Sequence, residues 1–148
     1  MNCKILVWNV RGLNSPARRN AICNLMLEKG VAILCVQETK MQCIDSVIVS
    51  ETCGPGFNFA FSPSSGASGG LLVAWRDSDF SVPSSVCNAR FISLCCVCQS
   101  TGQEWQLINV YGPQLAADKL VFIQDLKALA SSVQPAANVY GWRLQSDC

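Results

Sequence analysis

Hydrophobic and polar positions follow two rhythms along the chain, one with the period of a strand and one with the period of a helix. Residues 4–9, "KILVWN", form a short apolar run of the kind that makes a buried strand. The next stretch, "NSPARRNAICNLMLEKG", carries helix signals at both ends. Ser15 suits an N-cap, Pro16 the first helical position and Gly30 a left-handed stop, and Ala21, Ile22, Leu25 and Met26 form one stripe. "VAILCVQ" is apolar on both faces, as a strand covered on both sides must be. A strand, a helix and a strand in so short a span predict a parallel βαβ crossover. Its two carboxyl ends, Asn9 and Glu38, then lie side by side.

Beyond a loosely patterned segment from Asp45 to Thr52, helix or loop, the chain becomes β-rich. "FNFAF", "GGLLVAW", "ARFISLCCVC" and "EWQLINVY" read as short strands, and the turn-rich "SPSSGAS", "RDSDFSVP" and "STGQ" between them predict antiparallel pairing. Gly69 and Gly70 mark either a close backbone approach at a strand start or a plain loop. From Leu115 to Val133 the period is helical, with Leu120, Ile123, Leu126 and Leu129 at core spacing. A last strand is expected to begin at Asn138 and to pair back into the first sheet.

Composition sets bounds on this picture. At 148 residues, 50% apolar and a mean hydropathy of +0.27, the chain is expected to be one domain, or part of one, with a real core. Its apolar runs fall short of a membrane span, and Asn9 and Arg11 interrupt any signal-peptide core, so an intracellular chain, nuclear or cytoplasmic, with no membrane partner is expected. The net charge is +1 and Arg18–Arg19 is the one adjacent basic pair, so any nucleic-acid contact must be local. Ten cysteines without a histidine argue against zinc. Strand alternation sends Cys95 and Cys98 to opposite faces, while Cys23, Cys35 and Cys96 sit among apolar neighbours as small buried hydrophobes. With no histidine, acid–base chemistry falls to carboxylates, tyrosine or a metal-bound water.

Asn9 is an unusual end for an apolar strand, since its amide has poor β-propensity and both donates and accepts hydrogen bonds. Beside Glu38 it would put an amide and a carboxylate within reach of one divalent cation. Taken alone, the two residues leave open a plainer role for Glu38 as the start of a solvated loop.

The segments "WNVRGLN", "CVQETK", "SGASGGLLVAW" and "NVYGP" together resemble, in order and rough spacing, the endonuclease/exonuclease/phosphatase superfamily. They are most similar to the endonuclease domains of plant non-LTR (LINE-type) retrotransposons. The resemblance runs from about Lys4 to Gly141 and corresponds to the N-terminal part of such a domain. It implies an α/β (α+β) fold, a four-layer α/β/β/α sandwich with mixed β-sheets, truncated before the second sheet is complete. It also implies phosphodiester hydrolysis with a divalent cation, magnesium or else manganese, and DNA as partner. Glu38 matches the metal-binding carboxylate, and Asn9 the asparagine that helps hold the metal and its waters. Tyr111 matches the tyrosine that contacts the scissile phosphate, with Asn109 on the same strand face as a substrate-side residue. Arg11 stands where some relatives carry an acid, facing either phosphate or solvent. Magnesium keeps several waters, so one carboxylate with polar support is an adequate half-site.

Where the superfamily has "GDFN", this chain reads "GWRL", with Trp142 and Leu144 in place of the aspartate and asparagine, and no histidine supplies an "SDH" motif. Residues 1–141 are therefore expected to be a partial domain and 142–148 an unrelated tail, from a shifted frame or a spliced-on end. The expected function is a remnant of a retrotransposon endonuclease, inactive as this chain. An active magnesium-dependent nicking enzyme is the alternative, and a phosphatase of the same fold ranks third. Loss of most of the second sheet would leave "LLVAW" and "ISLCCVC" exposed, open to aggregation or to a completing polypeptide.

Overall fold

The computed structural model describes residues 3–112, 116–131 and 138–141. Its first unit is the expected crossover: β1 (Ile5–Asn9), α1 (Pro16–Lys29) and β2 (Ile33–Gln37). The two strands pair in parallel with Asn9 opposite Gln37. The Ser15 side chain caps α1 by accepting from the Arg18 backbone N–H, and Gly30 ends it at φ 64°. Ile22 and Met26 face the core as expected, whereas Ala21 is exposed and Arg19 occupies the buried position one turn before Ile22. The uncertain segment is a helix, α2 (Ser46–Cys53), capped by the Asp45 carboxylate.

The chain then builds β3 (Phe57–Ser62) and β4 (Leu71–Arg76), which pair antiparallel. β4 also pairs antiparallel with β2, giving the sheet order β1-β2-β4-β3. A second sheet follows from β5 (Phe80–Cys87), β6 (Phe91–Cys98), β7 (Glu104–Val110) and β8 (Asn138–Gly141), in that order. β5 begins inside "RDSDFSVP", the stretch expected to be a turn, and runs on past it to Cys87. Its run "FSVPSSVC" hides the strand period because Pro83 falls where the register shifts between Ser81 and Ser84, a bulge that an edge strand tolerates. β8 pairs parallel to β7, not with the first sheet. The intervening helix α3 (Ala116–Ser131) makes β7-α3-β8 a second crossover, and such a crossover returns the chain to the sheet it left.

Three apolar layers hold these elements together. Ile22, Met26, Val49 and Cys53 of the helices pack on Leu34, Val36, Leu72 and Ala74 of the first sheet. The opposite face of that sheet, with Ile33, Cys35, Leu71 and Val73, meets Ile92, Leu94, Cys96, Cys98 and Leu107 of the second. On the far side Phe91 and Ile108 meet Phe122 and Leu126 of α3. This is an α/β/β/α sandwich. The expected exposure of "LLVAW" and "ISLCCVC" is corrected, because four strands of this chain form the second sheet and bury both runs. The α3 stripe is also corrected: Leu120 and Ile123 are exposed, and Phe122, Leu126 and Leu129 form the packed face. Leu115, Val133, Trp142, Leu144 and the tail 142–148 lie outside the described residues.

The thiols behave mostly as packing groups. Cys35, Cys53, Cys96 and Cys98 are buried, Cys23 is half-buried, and no disulfide joins any described cysteine. Cys98 faces the inter-sheet core and Cys95 does not, as alternation requires.

Candidate functional site

The carboxyl ends of β1 and β2 carry unusual backbone. Among the described residues, three that are not glycine have positive φ: Arg11 at 50°, Glu38 at 55° and Lys40 at 55°, all just past these two strand ends. The left-handed region costs a residue with a Cβ, so such conformations persist where surrounding structure imposes them and cluster at functional sites. Past β2 the glycine pair before β4 supplies that structure. Gly70 O accepts from Thr39 N–H at 3.1 Å and Gly69 O from Lys40 N–H at 2.9 Å. A Cβ at Gly70, which sits at φ +93°, would overlap the Thr39 hydroxyl. Of the two readings of Gly69–Gly70, the close approach is the observed one.

Glu38 turns from the end of β2 toward the second sheet. Its carboxylate Oε1 accepts from the Tyr111 hydroxyl at 3.3 Å, across 73 positions of sequence. The Glu38 residue is 9% exposed, and no lysine or arginine among the described residues pairs with it. A carboxylate so far removed from water is ordinarily paired or bound to a metal. No group of three His, Cys, Asp or Glu side chains able to hold a metal exists among the described residues.

Asn9 lies at the end of β1, level with Gln37. Its Oδ1 accepts from the Arg11 backbone N–H at 3.3 Å, an Asx-type turn that opens the loop to α1. Val10 N–H and Gly12 N–H bond to Gln37 O and Glu38 O, so that loop tracks the end of β2. The basic pair holds it from the other side. Arg18 Nη1 donates to the carbonyls of Val10, Arg11 and Gly12 at 2.9–3.1 Å. The buried Arg19 donates to the carbonyls of Leu13 and Asn14 and pairs with Glu51 at 2.8 Å. Arg11 itself is exposed beside the site.

Asn109 is placed differently from the expected substrate-side residue. It is 1% exposed, and both amide donors are spent on the carbonyls of Val36 and Leu72, each at 3.1 Å. Its Oδ1 accepts from Gln37 Nε2 at 2.6 Å. Its job in this fold is to join the two sheets beneath Glu38 and Tyr111. The sequence does not single out Gln37, and it marks Arg18 and Arg19 only as a basic pair, not as the anchors of this loop. The signal for Gln37 was present as the one polar side chain closing the apolar "VAILCVQ".

No curated protein matches the chain. Among solved structures, it resembles an AP endonuclease from Leishmania major at 20% identity, covering 88% of this chain and 47% of that one with a TM-score of 0.60. It also resembles an AP endonuclease from Archaeoglobus fulgidus at 25% identity, covering 88% and 50%, with a TM-score of 0.58. A mannosyl-6-phosphatase from Bacteroides thetaiotaomicron shares 11% identity over 94% of this chain and 64% of that one, with a TM-score of 0.71. The chain thus spans between 47% and 64% of the length of these structures. Nucleases and a phosphatase share the sandwich described above, and the sequence itself matches the Endonuclease/Exonuclease/phosphatase family over residues 6–94, more than half of its length. On that match and that architecture, the chain belongs to the endonuclease/exonuclease/phosphatase family.

Proposed function

We propose that this chain is the N-terminal part of a metal-dependent DNA endonuclease domain of the LINE retrotransposon type, retaining a cation and phosphate half-site without turnover of its own. The contact of Tyr111 with Glu38 carries this reading, because it brings the carboxylate and the phenol, from opposite sheets, to one edge. Glu38 and Asn9 would hold magnesium or manganese, which when bound neutralises charge on phosphate oxygens. Tyr111 would donate its hydroxyl to the same phosphate, and Arg11 stands at the rim where a DNA backbone would pass. The retrotransposon kinship rests on the wording of "WNVRGLN" and "SGASGG".

Hydrolysis also requires a group that orients and deprotonates water, and members of such a unit act together, so losing one removes most of the rate. Trp142 and Leu144 accept no proton, and these 148 residues contain no histidine. The test is calorimetric titration of the purified chain with Mn2+, beside nicking of supercoiled plasmid DNA. Wild type is expected to bind Mn2+, Glu38→Ala to lose that binding, and neither to nick. Equal binding by both chains would overturn the cation site. Magnesium-dependent nicking abolished by Glu38→Ala would restore the active enzyme.

A further inference from the structure

Two buried amides lie directly under the half-site, and neither has a role in holding cation or phosphate. Gln37 ends β2 with its side chain in the inter-sheet layer at 5% exposure, one residue before Glu38. Asn109 sits on β7, two residues before Tyr111. Their 2.6 Å hydrogen bond, with the two bonds from Asn109 to Val36 O and Leu72 O, links the sheets at this end through side-chain amides. Around them the inter-sheet layer is apolar. Simple packing would be served by another leucine or valine. Amides here impose direction, since Val36 O and Leu72 O accept the Asn109 N–H groups at one register and one depth only.

We propose that Gln37 and Asn109 are a positioning pair that fixes the Glu38 carboxylate against the Tyr111 hydroxyl. Resting on the half-site reading above, it assigns to the pair the alignment of groups from two different sheets. Anchoring the Gln37 side chain fixes the backbone from which Glu38 turns into the left-handed region. Anchoring Asn109 fixes the end of β7 from which Tyr111 extends. Moving either strand end separates a carboxylate and a hydroxyl that now lie 3.3 Å apart.

The test uses the full 148-residue chain and two readouts. The first is Mn2+ affinity by calorimetry. The second is the NMR shift of the Tyr111 ring on Glu38→Gln, which needs no metal. Asn109→Leu strips three hydrogen bonds and is the severe variant; Gln37→Met removes one and keeps the side-chain length. Phe80→Leu, at the far end of the same layer, is the control for general destabilisation. Gln37→Met is expected to bind Mn2+ roughly 10-fold more weakly and to abolish the Tyr111 response, while Phe80→Leu, destabilised at least as much, changes neither. A folded Gln37→Met chain with wild-type behaviour in either readout overturns the proposal. If wild type binds no Mn2+, the half-site reading fails, and the Tyr111 response alone decides: retained in Gln37→Met it overturns the pair, lost it upholds it.

Discussion

Gly70 has two constraints at once, a φ of +93° and a neighbour where a Cβ would go. Gly70→Ala must move Thr39 or the strand start, and left-handed strain of this sort costs roughly 1–3 kcal/mol. Urea denaturation should show that loss, whereas Gly102→Ala, at φ 70° in open space, should show only the conformational part. The sequence flagged Gly69–Gly70 but left a close approach and a plain loop open, because what a Cβ would meet there comes from Thr39, some thirty residues away in the chain. Asn109 was legible only as a residue sharing a face with Tyr111. Its partners, Val36 O, Leu72 O and Gln37, come from the other sheet, and no local pattern encodes a hydrogen bond between sheets.

At the scale of elements, strong periodicity was readable and mixed periodicity was not. β1, α1 and β2 carry caps and clean apolar runs, and they form where the sequence puts them. β5 was hidden because an edge strand with serines and a proline has little apolar period to show. In α3 the unbroken apolar run Leu120–Ile123 offers more than one stripe, so the sequence does not say which one packs, and tertiary contact chooses Phe122 and Leu126. That choice gives a clear contrast. Phe122→Ala should cost about 3–5 kcal/mol. Val121→Lys, on the neighbouring exposed position, should stay within about 0.5 kcal/mol. Thermal melting of the two variants beside wild type measures both.

For the whole molecule, the thiols that fill the layers set an alkaline limit. Burial pushes the Cys35, Cys53 and Cys96 thiols up from 9.0 to about 12. The unfolded chain releases these protons above pH 9 while the folded chain holds them, so stability is full below pH 9 and is lost between pH 9 and about 12. Each thiol contributes a slope of about 1.4 kcal/mol per pH unit. Cys98 acts in a lower window and in the opposite sense. The hydroxyls of Ser100 and Thr101 pull it down to about 7, which adds stability as pH rises from 7 toward 9. Melting temperatures between pH 8 and 11 should therefore fall beyond pH 9, and Cys35→Ala with Cys96→Ala should flatten the fall. The two-sheet architecture was legible only as a family resemblance, since its layers are joined by contacts far apart in sequence. The same fact bears on synthesis. Glu38 leaves the ribosome 73 residues before the phenol it faces. Contacts of such separation form late because the intervening chain must first close a long loop. A nascent chain that has made the whole first sheet still has half a site, its carboxylate without the Tyr111 hydroxyl that follows β7. Any probe that detects Tyr111 against Glu38 is then also a gauge of finished assembly, silent until both sheets have closed on each other.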